Sequence, residues 1–230
     1  GGAADETAGP RVALAGRDGC SGIESCWLIA GMFARSGSMP SIGPIRAITL
    51  PAAAGPLMCG GGTAFLPFVI HDIKPTDKVG VVGIGGLGHL AVKFAKAWGC
   101  DVTAFTSSPS KREEALALGA HRTVSSVDVK ELKAFAGQLD FLLVTVGASL
   151  EWDALIGTLA PKGRLHLVGV VTEAMKLKTG GLLSWQRSIS ASPTPSPVTL
   201  AKMLEQKGSG RGLISICAAG GQGVVAIIEK

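Results

Sequence analysis

The sequence predicts an α/β protein built on a doubly wound parallel sheet. Three observations carry this. Residues Lys78–Ser108 read as strand, glycine turn, amphipathic helix and second strand, within the roughly 30 residues that a βαβ unit takes. Apolar strand-like runs then keep alternating with helical ones as far as Ser192, which is the pattern of a parallel sheet covered on both faces. The glycines of the first turn, Gly83, Gly85 and Gly88, are spaced G-x-G-x-x-G.

Residues Gly1–Ile48 carry little periodicity. Ser25–Phe33 reads as a short apolar helix or strand and Arg35–Pro44 as a loop rich in Ser, Gly and Pro. Five residues separate Cys20 from Cys26, more than the ~2–4 usual in paired zinc cysteines, so no metal is expected on them. Leu50–Gly55 is a small-residue helix or turn. In Pro56–Phe68 a glycine run follows Cys59, where the backbone can pass close to a ligand. Cys59 is either a metal ligand or a small buried residue, and chemistry alone favours the second. Thr63 is either a hydrogen-bonding residue near a reacting group or an ordinary helix residue. His71–Asp77 is a polar turn, with His71 expected at the surface.

Val79–Val82 is the first buried strand. Behind the glycines, Leu87, Leu90, Ala91, Phe94, Ala95 and Trp98 fall on one helical face, with His89, Lys93 and Lys96 on the other. Strand Asp101–Thr106 follows. Next come helix Lys111–Leu118 (stopped by Gly119), strand Thr123–Ser125, helix Lys130–Gly137, strand Asp140–Val146 and helix Leu150–Leu159. A turn at Pro161–Gly163 leads to strand Arg164–Val171, whose His166 reads as a core histidine. Ile189–Ser192 is a sixth strand. Pro193, Pro195 and Pro197 forbid regular pairing beyond it. Helix Val198–Gln206 and strand Gly223–Ile228 complete the expected elements.

Each glycine of the turn has a physical task. The first permits the tight bend, the second lets the backbone approach a pyrophosphate, and the third lets helix pack on strand. The free N–H groups and dipole at the helix start then hold the phosphates. A unit that takes NAD usually ends its second strand on Asp or Glu, which bonds the ribose 2′-OH. Here that place holds Thr106, Ser107 and Ser108, followed by Lys111 and Arg112. Hydroxyls and cations suit a 2′-phosphate, whereas a carboxylate would repel it. NADP is therefore expected over NAD. Ser107–Ser110 also reads as a loop and N-cap, and both readings hold together. Because ligands lie beyond the carboxyl ends of such a sheet, Gly83–Gly88, Ser107–Lys111, Thr145–Ala148, Gly169–Val171 and Ser190–Ser192 are the candidate contacts.

Composition excludes several classes. The formal charge of +5 is spread along the 230 residues, which is no nucleic-acid footprint. No apolar run reaches the ~18 residues of a membrane span. The start, GGAADETAG, has neither the basic nor the apolar part of a signal peptide. Five scattered cysteines argue against a disulfide scaffold and for a reducing, cytoplasmic setting. Tyrosine is absent, for which no physical account offers itself.

VGVVGIGGLGH (79–89), FTSSPSKR (105–112), PLMCGGGT (56–63) and LVG (167–169) together resemble the zinc-dependent medium-chain alcohol dehydrogenases, in particular the cinnamyl alcohol dehydrogenase branch. The resemblance runs from about Thr49 to Gln206. It implies an NADP-binding Rossmann domain over 49–206, an unassigned segment 1–48 and a C-terminal segment 207–230, the termini being remnants of a second, mainly β catalytic domain. It implies that Gly83, Gly85, Gly86, Leu87 and Gly88 line the pyrophosphate. Ser107, Ser108 and Lys111 would take the 2′-phosphate. Val146, Gly147, Gly169, Val170, Ser190, Ala191 and Ser192 would flank the nicotinamide and its ribose. Cys59 matches a zinc-ligating cysteine of that family and Thr63 a threonine near the nicotinamide. The family's other catalytic zinc ligands and its four-cysteine structural site have no counterpart before Thr49, and the end after Gln206 departs from the family pattern. The implied activity is hydride transfer between NADPH and a small-molecule aldehyde or alcohol, in a cytoplasmic enzyme that commonly dimerises through the edge strand near Ile189–Ser192. An NADP-binding module without activity, or a zinc-free reductase of the same superfamily, are the alternatives.

Overall fold

The computed structural model describes residues 11–15, 57–192, 201, 204–218 and 222–230. The readings placed on Cys20, Cys26, Ser25–Phe33, Arg35–Pro44, Leu50–Gly55 and Pro193–Pro197 lie outside the described residues. Contacts divide the chain into two compact units, Gly1–Gly62 with Thr194–Lys230, and Thr63–Pro193.

In the first unit, strand Gln222–Glu229 lies between Arg11–Ala15 and Arg211–Ala218, antiparallel to both. Arg211 and Glu229 face each other across the ladder, and their side chains pair at 2.9 Å. The expected strand Gly223–Ile228 falls within the central strand, and residues 201 and 204–206 of the expected helix Val198–Gln206 are helical. The two flanking strands have no counterpart in the sequence reading, because single short strands gain their stability from neighbours far away in the chain. A π-helical turn, Leu57–Gly61, carries Cys59, which is half-buried.

The second unit is one six-stranded parallel sheet. Its elements are α1 (Gly62–Ile70), β1 (Lys78–Val82), α2 (Gly86–Trp98), β2 (Asp101–Thr106), α3 (Lys111–Ala117), β3 (Arg122–Ser125), α4 (Val129–Ala134), β4 (Leu139–Val144), α5 (Trp152–Gly157), β5 (Leu159–Leu167), α6 (Gly180–Leu183) and β6 (Ser188–Ala191). Strand order is β3-β2-β1-β4-β5-β6. This is the order of a Rossmann fold, whose direction reverses between β1 and β4. Val79, Val102, Ala104, Phe105, Phe141, Leu142, Leu143 and Val144 are all 0% exposed, as expected where helices cover both faces of a parallel sheet. Helix α2 buries Leu90, Ala91 and Ala95 and leaves Lys93 and Lys96 in solvent. Phe65 of α1 meets Phe94 and Trp98 of α2 at ring separations of 5.4 and 5.3 Å.

The observed elements differ from expectation mainly at their ends. Strand β5 starts at Leu159, not Arg164, but its pairing to β4 jumps from Leu159 to Arg164, so the turn at Pro161–Gly163 protrudes from the ladder. Lys162 sits there at φ +64. The strand stops at Leu167 because Val168 and Gly169 both turn their N–H onto Val144 O. Helix α4 starts one residue early, at Val129, where the Asp128 carboxylate accepts from Lys130 N–H at 2.8 Å.

Candidate functional site

The carboxyl end of β1 is shaped by the three glycines. Gly83 has φ +89 and donates its N–H to Phe105 O at 2.8 Å. A side chain there would need an unfavourable backbone conformation and would stand 2.1 Å from Val146 Cγ1. At Gly88 a Cβ would lie 1.8 Å from Gly83 O, so only glycine lets the helix start this close to the strand. Gly85, the N-cap of α2, and Gly86 are exposed and have nothing within 4 Å of where a Cβ would be. His89 N–H is the first to turn back, onto Gly85 O at 3.0 Å. The N–H groups of Gly86, Leu87 and Gly88 therefore face forward without an intrahelical acceptor, and no acidic residue occupies the first turn. Open space, bare amides and a helix N-terminus fit a diphosphate.

Thr145 braces this turn from the neighbouring strand. Its Oγ1 donates to Val82 O and Gly83 O at 2.9 and 3.0 Å, and its N–H bonds Val82 O at 3.0 Å. The sequence marked 145–148 as rim residues but gave no sign of this brace. A hydroxyl directly after a buried strand at the switch point was the available signal.

At the end of β2, Thr106 Oγ1 accepts from Ser108 N–H at 3.2 Å and the Ser108 and Ser110 hydroxyls bond at 2.8 Å. Ser107 is exposed and Ser108 half-buried. Lys111 Nζ reaches across to donate to Ile84 O at 2.7 Å, which brings the serine loop and the glycine turn together. Arg112 points elsewhere. It grips Glu131 through two bonds of 2.9 and 3.0 Å, and Glu131 also accepts from Ser125 N–H at 2.7 Å. The Ser125 amide, then Arg112, hold that carboxyl below the usual range. Of the two cations after the serines, Lys111 alone is bonded to the turn.

On the other side of the switch point two loops touch through main chain. A Cβ on Gly147 would meet Val170 O at 2.5 Å, and one on Gly169 would meet Val146 O at the same distance. Val146, Gly147, Gly169 and Val170 are thus one contiguous ledge, with Val170 82% exposed. Next to it, Ser192 N–H bonds Leu167 O at 3.1 Å. Ser190 and Ser192 point their hydroxyls at His166, Ser190 Oγ lying 2.9 Å from Nδ1 and Ser192 Oγ 2.8 Å from Nε2. Ala191 is exposed. His166 is fully buried, as expected. His71 is not the surface residue expected: it follows the last residue of α1, is half-buried, and its Nε2 lies 2.9 Å from His166 Nδ1. Burial, then the nearby Arg164, lowers the His71 pKa. Burial, then His71 and Arg164, lowers that of His166 to about 4.

Thr63 is buried in α1. Among the described residues no three of His, Cys, Asp and Glu come together as a metal-holding group. These residues do not by themselves make a zinc site. Among them, too, no helix is long and apolar enough to cross a membrane.

Strand order and glycine turn define a Rossmann-type unit. The family model for zinc-binding dehydrogenases matches residues 86–207, just over half of the chain, and the chain belongs to that family. It is 47% identical over 191 residues to an aldehyde reductase of Synechocystis sp., covering 81% of this chain and 56% of that one. Among solved structures it resembles a cinnamyl alcohol dehydrogenase of Sorghum bicolor (TM-score 0.60, 37% identity, 66% of this chain and 44% of that one). It also resembles the Helicobacter pylori enzyme complexed with NADP(H) (TM-score 0.56, 28% identity, 66% and 43%). The chain spans about half the length of the relatives it matches.

Proposed function

We propose that this chain is the cofactor-binding half of an NADP-dependent alcohol dehydrogenase or aldehyde reductase, which moves a hydride between NADPH and an aldehyde. One observation carries the reading: the open glycine turn of α2 is tied by Lys111 to a serine loop that lacks any carboxylate at the end of β2. The amides of Gly86, Leu87 and Gly88 would hold the diphosphate, and Ser107, Ser108 and Lys111 the 2′-phosphate. The ledge of Val146, Gly147, Gly169 and Val170, with Ser190–Ser192, would flank the nicotinamide. The bound coenzyme supplies the hydride. The chain's own residues orient it and cover one side of it. The naming of a similar protein as an aldehyde reductase and the NADP(H) bound to another support the assignment.

The test is titration with NADPH and NADH, followed by fluorescence. Saturable binding with NADPH preferred is expected, and Ser107→Asp should shift the preference toward NADH because a carboxylate repels the 2′-phosphate. Unchanged preference refutes the 2′-phosphate site. Cys59 is proposed as one zinc ligand and Thr63 as a residue near the nicotinamide. Zinc content that survives Cys59→Ala in the full chain removes the first assignment. NADPH binding without aldehyde reduction would leave a binding module. Among the described residues β6 is an edge of the sheet, where the dimer implied by the resemblance would pair.

A further inference from the structure

A fully buried histidine in the middle of a parallel strand needs a reason. His166 lies on β5 opposite Ser190 of β6 in the ladder register. Its ring stacks on Phe141 of β4, with centroids 6.1 Å apart. Beyond the end of α1, the His71 ring stands edge-on to it at 4.8 Å. Both nitrogens of His166 are bonded: Nδ1 to His71 and Ser190, Nε2 to Ser192. Ser190 Oγ is also 3.4 Å from His71 Nε2. The cluster therefore joins three elements, the end of α1, β5 and β6, and its last member stands just past the carboxyl end of β6.

We propose that His166 is a positioning residue for the nicotinamide side of the cofactor site, holding the end of β6 in place through Ser190 and Ser192 while His71 locks its ring from the other side. The proposal rests on the reading that Ser190–Ser192 flank the nicotinamide. β6 is an edge strand of four residues, paired on one side only, so main-chain bonds alone leave its end free to fray. The two seryl hydroxyls anchor it to a ring that cannot rotate. A neutral imidazole has one donor and one acceptor nitrogen. Hydroxyls can give or accept, so they suit either tautomer.

The anchor needs at least one uncharged ring. An imidazolium has two donors and no acceptor, so protonating both rings would set N–H against N–H across the 2.9 Å contact. The groups facing His166 are Arg164 on its own strand, His71 from the α1 side, Phe141 from β4, and Ser190 and Ser192 from β6. Burial first, then any proton on His71 and the Arg164 guanidinium, disfavour its charged form.

The test measures affinity of the full chain for two probes, NADPH and 2′-phospho-ADP-ribose, which lacks the nicotinamide ring. In His166→Leu, NADPH affinity should fall about tenfold while 2′-phospho-ADP-ribose affinity holds within about twofold, because the half-buried Ser190 and Ser192 hydroxyls lose their partner at one end of the site only. His166→Gln, which keeps a donor and an acceptor, should recover part of the loss. If His166→Leu does not fold, the half-buried His71→Leu should show the same split at about threefold, since it removes one partner of the ring and leaves the serines bonded. Equal losses on both probes, or none on either in a folded variant, overturn the positioning role. Failure of the unaltered chain to bind 2′-phospho-ADP-ribose would instead overturn the dinucleotide reading, and this proposal with it.

Discussion

The two sides of the carboxyl rim are held by different means. On the β1–β2 side the shape is main chain: a left-handed Gly83, a Gly88 that admits no Cβ, bare amides, and carbonyls gripped by Thr145 and Lys111. On the β5–β6 side it is a side-chain network around the buried His166, joining the half-buried His71, Ser190 and Ser192. The first arrangement is intolerant of one added methyl. The second depends on the protonation of its rings. A rim built this way keeps the glycine-turn end rigid and gives the other end a hold that acid can loosen.

The largest effect should come from Gly88→Ala. Its Cβ would collide with backbone, which cannot give way as a side chain can. The cost should reach the upper part of the overpacking range, about 3 kcal/mol, with NADPH binding lost. Denaturant unfolding measures the first and titration the second; a variant that still bound normally would mean that the turn is not where the diphosphate sits.

The other side should break with acid. His166 stays neutral in the folded protein down to about pH 4, against an ordinary 6.5. The unfolded chain therefore takes up the proton first, and stability must fall as pH drops from 6.5 toward 4. The ceiling is about 3 kcal/mol, from the size of the shift. Unfolding curves across this range should fall less steeply for His166→Leu than for the unaltered chain. Parallel curves would show that the ring does not carry the pH dependence.

The smallest effect sharpens the contrast. Thr145→Val keeps the shape and removes the hydroxyl brace, yet Val82 O retains the Thr145 N–H. A loss of about 1 kcal/mol in stability is expected, with little change in NADPH affinity. A large affinity loss would mean that the brace, and not the glycines, sets the turn.

Legibility in the sequence followed the same division. The G-x-G-x-x-G turn, its strand and its helix were readable because their determinants lie within one short stretch: apolar period, glycine spacing, and an N-terminus without acids. The missing carboxylate after β2 was readable for the same reason. Arg112 was not, since nothing near it in the chain announces Glu131, nineteen residues on. His71 looked like a turn residue because its partner is ninety-five residues away. The antiparallel sheet of the terminal unit pairs Arg11 with Glu229, beyond any local pattern.

The sequence by itself determined the parallel α/β framework, the position of the glycine turn and the chemistry at the end of β2. Each follows from backbone freedom and side-chain type over a few neighbouring residues. Tertiary structure alone decided which cation turns toward the glycines, which threonine braces them, and that two histidines and two serines meet beneath the sixth strand. Those are contacts between segments made adjacent only by the order of strands in the sheet, and strand order is fixed by the packing of the whole unit.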